Sequence, residues 1–180
     1  MIWANTHRLC IPFRILFLAL LLLLAACGEQ RPGARPAPLF SLPTLEGDDT
    51  VALADYQGQV VYLGFWASWC IPCRQEMPYL AQLRDRHEGE GFEVLAINVD
   101  EDPALARAFV EEYGMDFPVL RDADREVSRL YRVPGYPTHY LVDRRGRIRF
   151  SGLGFDLNDV RAVSQEVATL LEEPAETPME

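Results

Sequence analysis

Apolar residues along the chain fall into short continuous runs that alternate with stretches of helical spacing. Val60-Val61-Tyr62-Leu63-Gly64-Phe65-Trp66 is apolar throughout and rich in β-branched and aromatic residues, the pattern of a strand buried on both faces. Met77, Leu80 and Leu83 then recur at helical spacing within residues 73–87, and Pro78 inside that stretch predicts a kink rather than a stop. Residues 94–99 predict the next strand and 104–113 the next helix, with Gly114 as its C-cap. A short helix is predicted near residues 125–131, with Asp124 as its N-cap. Residues 138–142 and 147–151 flank Asp143-Arg144-Arg145-Gly146, a hairpin signature. The last periodic segment places Leu157, Val160, Val163, Val167, Leu170 and Leu171 on one helix face. Strands alternating with helices and closing in an antiparallel hairpin predict an α/β fold, a mixed central sheet with helices on both faces.

The N-terminus follows a different pattern. Arg8 and Arg14 lead into an uncharged apolar run over residues 15–26, which ends in Leu24-Ala25-Ala26-Cys27. The run is short of the roughly 20 residues a membrane-spanning helix needs, and its basic start and small-residue end are those of a secretory signal. Its last four residues resemble a bacterial lipobox, which makes Cys27 the lipidated first residue of the mature chain. The organisation read from the sequence is a lipoprotein signal peptide over 1–26, a flexible Gly- and Pro-rich linker over 27–38, one domain over 39–172 and a disordered tail over 173–180. The predicted location is extracytoplasmic, on the periplasmic side, anchored by lipid.

Composition narrows the function. With 180 residues, 49% hydrophobic and 24% charged, the chain has room for one ordinary globular domain, and disordered or disulfide-scaffold classes are excluded. Its 17 basic residues are all arginine and stand against 27 acidic ones, a net charge of -10. That balance argues against nucleic acid as a partner and against adhesion to anionic lipid headgroups, leaving the acyl chains as the anchor.

The chemistry lies in Trp69-Cys70-Ile71-Pro72-Cys73, where the buried strand gives way to a helix. A helix N-terminus favours an anion, so the Cys70 thiolate is stabilised and its sulfur becomes a nucleophile. Cys73, three residues on, is within disulfide reach. Pro72 withholds one N–H and so limits how many donors can support the thiolate. In this arrangement Cys70 attacks a substrate disulfide and Cys73 resolves the mixed disulfide. A purely structural bridge is the alternative, although such bridges gain most by closing longer loops. Zinc takes four ligands in a structural site, whereas the domain offers two thiols with His87 and His139 at no ligand-like spacing. Arg74 follows Cys73 where a c-type haem attachment motif has histidine.

The stretch GFWASWCIPCRQEMPYL, with LFSLPTLEGDDTVALADYQGQVVYL upstream and VPGYPTHYLVDRRGRI downstream, resembles the membrane-anchored thioredoxin-like proteins of the TlpA/ResA type, within the redoxin-like superfamily. The resemblance implies a thioredoxin fold with an N-terminal β-hairpin extension and a central insertion, here over about residues 100–120. It implies that Pro137 is a cis-proline opposite the cysteines, with the backbone of Tyr136 and Thr138 beside it pairing with the bound client chain. Trp69 is the exposed aromatic beside the sulfur, and Trp66 a packing residue. Glu76 matches an acidic residue near the family's active site, suited to exchanging a proton with Cys73; the other reading is a glutamate complementing the helix dipole. Cytoplasmic thioredoxins carry a buried aspartate where Gly64 stands, which puts more weight on Glu76. Ala67 stands where a peroxidase would carry Thr or Ser, which disfavours peroxidase activity.

The function the resemblance implies is thiol-disulfide exchange with no cofactor beyond the Cys70–Cys73 pair. It runs in the reducing direction, with apocytochrome c as a client and a membrane thiol protein as electron donor. An oxidase or isomerase of secreted proteins, and a copper-binding lipoprotein using both thiols and His139, are the alternatives.

Overall fold

The computed structural model describes residues 34–174. The signal peptide, Cys27 and the end of the tail lie outside the described residues. Among those described, no helix is long and apolar enough to cross a membrane.

A six-stranded mixed sheet forms the centre, in the order β1 (Arg35–Pro36), β8 (Arg147–Leu153), β7 (Thr138–Val142), β4 (Val60–Trp66), β5 (Phe92–Asn98) and β6 (Val119–Arg121). Its middle strand, β4, is buried at all seven positions. It runs parallel to β5 and antiparallel to β7. β6 extends the parallel side, and β8 pairs antiparallel with β7. Alternation along β4 divides the core in two. Val60, Tyr62 and Trp66 pack against α1 (Ile71–Arg86), α2 (Pro103–Tyr113) and α4 (Leu157–Glu172) on one face. Val61, Leu63 and Phe65 pack with Val127 and Tyr131 of α3 (Glu126–Tyr131) and with Ala37, Phe40 and Leu42 on the other. A separate antiparallel hairpin, β2 (Ser41–Pro43) and β3 (Thr50–Ala52), and a 3₁₀ turn over Leu53–Tyr56 lead into β4. The sheet, the helices on both faces, the hairpin and a β5–β6 connection carrying α2 make the thioredoxin arrangement expected from the sequence.

Three local expectations are corrected. Residues 35–37, read as linker, are part of the fold: Arg35 and Pro36 form β1 against Ile148 and Arg147, and the buried Ala37 donates its N–H to the Gly146 carbonyl at 2.8 Å. Ordering is possible there because the edge of β8 supplies the backbone partners that a free linker lacks. The catalytic-site helix α1 begins at Ile71, two residues early, because Pro72 suits a first turn. As the sequence predicts, Pro78 does not stop it, and it runs on to Arg86.

The N-terminus of α3 is capped from further back than Asp124. Asp122, fully buried, accepts the N–H groups of Val127 at 3.0 Å and Ser128 at 2.7 Å and the Ser128 hydroxyl at 2.6 Å. The Asp124 carboxylate accepts the Glu126 N–H at the longer distance of 3.3 Å. Left-handed arginines flank this helix, Arg125 at φ 60° and Arg132 at φ 58°. The left-handed region costs a side-chain-bearing residue about 1–2 kcal/mol, and glycine forfeits about 0.5–1 kcal/mol in chain entropy. Arg132→Gly is therefore expected to raise stability by about 0.5–1 kcal/mol, read as a higher urea midpoint at unchanged m.

Candidate active site

Cys70 is the N-cap residue of α1, placed there by the turn that follows β4. It forms a disulfide with Cys73, Cα to Cα 5.3 Å, and its Sγ accepts the Cys73 N–H at 3.3 Å. The two cysteines differ in access: Cys70 is 4% exposed and Cys73 0%. Beside them Trp69 and Ile71 are exposed, and the Trp69 ring meets Tyr136 edge-on at 5.7 Å. The Tyr136–Pro137 peptide bond is cis. Thr138 is paired with Phe65 of β4 and Leu153 of β8, and its hydroxyl donates to the Gly135 carbonyl at 2.7 Å. The Pro137 carbonyl accepts the Gly154 N–H at 2.8 Å. The exposed Trp69 and Ile71 thus flank Cys70 in the chain, and the exposed Leu153 is the β8 register partner of Thr138.

Behind the disulfide lies a buried polar group. Glu76, one helical turn beyond Cys73, is 0% exposed, so it is not a surface glutamate answering the helix dipole. Its Oε1 accepts the Tyr62 hydroxyl at 2.6 Å, and Nδ1 of His139 stands 3.6 Å from the same oxygen. Burial pushes the Glu76 carboxyl up to about 8; the Tyr62 hydrogen bond pulls down and Asp159 adds to the rise. Burial also drives His139 down to about 4, against a smaller upward pull from Asp159. Near neutral pH the pair is mainly a carboxylic acid beside a neutral imidazole, with the carboxylate as the minority form.

The sheet makes room for this imidazole. His139 is in register with Gly64 on β4 and Gly152 on β8, and its ring stacks between Tyr62 at 5.4 Å and Phe150 at 5.8 Å. A Cβ at position 152 would lie 2.4 Å from His139 Nε2. Because the stacked ring has nowhere to go, Gly152→Ala is expected to cost about 2–3 kcal/mol in urea unfolding. The double variant with His139→Ala is expected to recover part of that loss, the signature of a direct clash.

Comparison with known proteins agrees with this geometry. The model of the AhpC/TSA family matches residues 34–151. The chain belongs to the AhpC/TSA family. Within it, the chain is similar to the thiol-disulfide oxidoreductase ResA of Geobacillus thermodenitrificans, 39% identical over 141 residues, which cover 72% of this chain and 80% of that one. Among solved structures it resembles a putative thiol:disulfide interchange protein DsbE from Chlorobium tepidum, at TM-score 0.73 and 39% identity, covering 77% of this chain and 96% of that one. A putative thioredoxin from Neisseria meningitidis follows at TM-score 0.69 and 36% identity, over 78% and 93% of the two chains. This AhpC/TSA protein is a thiol-disulfide oxidoreductase, and Cys70 and Cys73 are its redox pair.

The structure sets Trp69, next to Cys70 in the chain, against Tyr136 of the cis Tyr136–Pro137 bond that leads into Thr138, and buries Glu76 one turn beyond Cys73. Trp66 packs on Phe109 at 4.6 Å, in the core as expected. His139, weighed in the sequence as a copper ligand, instead lies buried against Glu76, and no group of three or more metal-binding side chains occurs among the described residues. Tyr62 is the residue that sequence reasoning passed over. Inside an all-apolar strand it reads as packing, and only its partner on α1 reveals the hydroxyl's use.

Proposed function

We propose that this oxidoreductase is lipid-anchored through Cys27 on the extracytoplasmic side, and reduces disulfides in partner proteins. Its client is apocytochrome c, whose haem-attachment thiols must be reduced before ligation, and a membrane thiol protein returns the electrons. The client chain pairs beside Pro137, against the backbone of Tyr136 and Thr138, with Trp69 at its side. Glu76 takes the proton of Cys73 when that thiol resolves the mixed disulfide. The named relatives are disulfide-exchange proteins, and the apolar run ending at Cys27 supports the anchor.

The observation that carries the reducing direction is the sparse support given to the Cys70 sulfur. It accepts one N–H, from Cys73 at 3.3 Å, and Pro72 has none to give. An oxidase stabilises its thiolate strongly and so favours its own reduced form. Here a single hydrogen bond, with a buried carboxyl one turn behind, leaves the disulfide form relatively favoured. The reduction potential tests this, followed by tryptophan fluorescence in defined thiol buffers. A value near or below about -220 mV supports a reductase, and one near about -120 mV makes the protein an oxidant and ends the reading.

A further inference from the structure

Tyr62 and His139 bring polar atoms into a core where phenylalanine would fill the same space at lower cost in desolvation. The fold also makes room for them. Gly64 and Gly152 are the register partners of His139, and a Cβ at Gly64 would come within 3.0 Å of the Tyr62 ring. Both side chains converge on one atom, Oε1 of Glu76, from 2.6 Å and 3.6 Å. Neither ring nitrogen of His139 has a hydrogen-bond partner among the described residues. The titratable and charged groups acting on the cluster are Tyr62 from β4, Glu76 and Tyr79 from α1, and Asp159 from the first turn of α4; on β8, Phe150 and Gly152 contribute none. All are acidic or neutral, so a charge on Glu76 has dipoles and not a cation to sustain it.

We propose that Tyr62 and His139 are positioning residues, a pair of buried donors that keep Glu76 able to ionise inside the core and so able to accept the Cys73 proton. The proposal rests on the reading of Glu76 as that acceptor. In the resolving step the Cys73 thiol gives its proton to the Glu76 carboxylate, and the resulting thiolate attacks Cys70 Sγ. The Cys70–Cys73 bond forms and the bond from Cys70 to the client sulfur breaks. The client sulfur leaves with the electron pair and takes a proton from solvent, so the client gains the two electrons that the cysteine pair loses. With Glu76 ionised, the Tyr62 hydroxyl and the Nδ1–H of His139 both point their hydrogens at Oε1. A shift of under about 1 Å brings the imidazole from 3.6 Å to hydrogen-bond distance. The ring does this as a neutral donor, with bare Nε2 turned to Gly152, where no side chain competes.

The test is the titration of Glu76 in the full oxidised chain, where the cysteines do not titrate. It is followed by carboxyl ¹³C chemical shift, with Glu76→Gln identifying the signal. Tyr62→Phe and His139→Phe are each expected to raise the midpoint by about one pH unit, a tenfold change in ionisation constant. His139→Asn, whose amide nitrogen can stand near the Nδ1 position, is expected to return it toward wild type, which a purely structural role for the ring would not do. In single-turnover reduction of a disulfide peptide, the pH at half-maximal resolving rate is expected to move with the midpoint, and Glu76→Gln to make His139→Phe silent. An unchanged or lowered midpoint in His139→Phe overturns the proposal. If that variant fails to fold, an unchanged midpoint in Tyr62→Phe together with His139→Asn does so. A resolving rate whose pH profile ignores Glu76→Gln overturns Glu76 as acceptor, while the midpoints still decide what Tyr62 and His139 do to it.

Discussion

Cys70→Ser is expected to abolish turnover of protein disulfides, whereas Cys73→Ser is expected to keep the first step and lose the second. The asymmetry follows from access and position. Cys70 is the less buried of the two, at the helix N-terminus between the exposed Trp69 and Ile71, while Cys73 is fully buried. A client can therefore meet only Cys70. Without Cys73 the mixed disulfide has no internal thiol to break it, and enzyme and client accumulate as a covalent adduct on non-reducing gels. The full chain incubated with a reducible client provides the measurement. Absence of an adduct with Cys73→Ser, or its appearance with Cys70→Ser, would reverse the roles.

The second large effect is on stability against pH. Glu76 ionises near 4.5 in an unfolded chain and near 8 in the fold, so between these values the folded protein holds a proton that the unfolded chain has lost. Stability from this group is therefore highest below about pH 4.5, declines as pH climbs through the window, and is flat above 8. The decline amounts to about 5 kcal/mol. His139 works oppositely over a lower range. It is neutral in the fold down to about 4 but protonates near 6.5 when unfolded, so its contribution is lost as pH falls from 6.5 to 4. The two slopes oppose each other between pH 4.5 and 6.5, and the Glu76 decline stands alone from 6.5 to 8. Urea unfolding of wild type and Glu76→Gln at a series of pH values isolates it: the variant is expected to gain on wild type as pH rises to about 8 and then run parallel. A constant difference would mean that the carboxyl is not held protonated.

Much of this was legible in the residues. The unbroken apolar run of β4 could only be a central strand, and the cysteines that follow it could only sit where strand becomes helix. The hairpin of β7 and β8 was announced by its turn, where Asp143 accepts the N–H groups of Arg145 and Arg147. Other features depend on partners distant in sequence. Tyr62 and Glu76 are fourteen residues apart, and the Glu76 carboxyl meets an imidazole from another strand, so no local pattern marks the three as one group. Asp122 was hidden similarly, because a cap acting on residues five and six positions later has no standard spacing. Arg35 and Pro36 look like linker by composition, and only the edge they cover shows otherwise.

That edge gives the N-terminal segment a protective role. Arg35 and Pro36 lie along the outer side of β8; the chain then crosses the sheet face, burying Ala37, Phe40 and Leu42. It reaches the opposite side, where Thr44 bridges Leu120 and Leu45 donates its N–H to the Val119 carbonyl. One short belt thus guards both ends of the sheet, and it ends one of them in a proline, which offers no N–H to an incoming strand. A version trimmed to the compositional boundary at Leu39 would keep the guard on β6 and strip it from β8. It would leave a seven-residue strand open to edge-to-edge self-association, with the redox centre itself untouched.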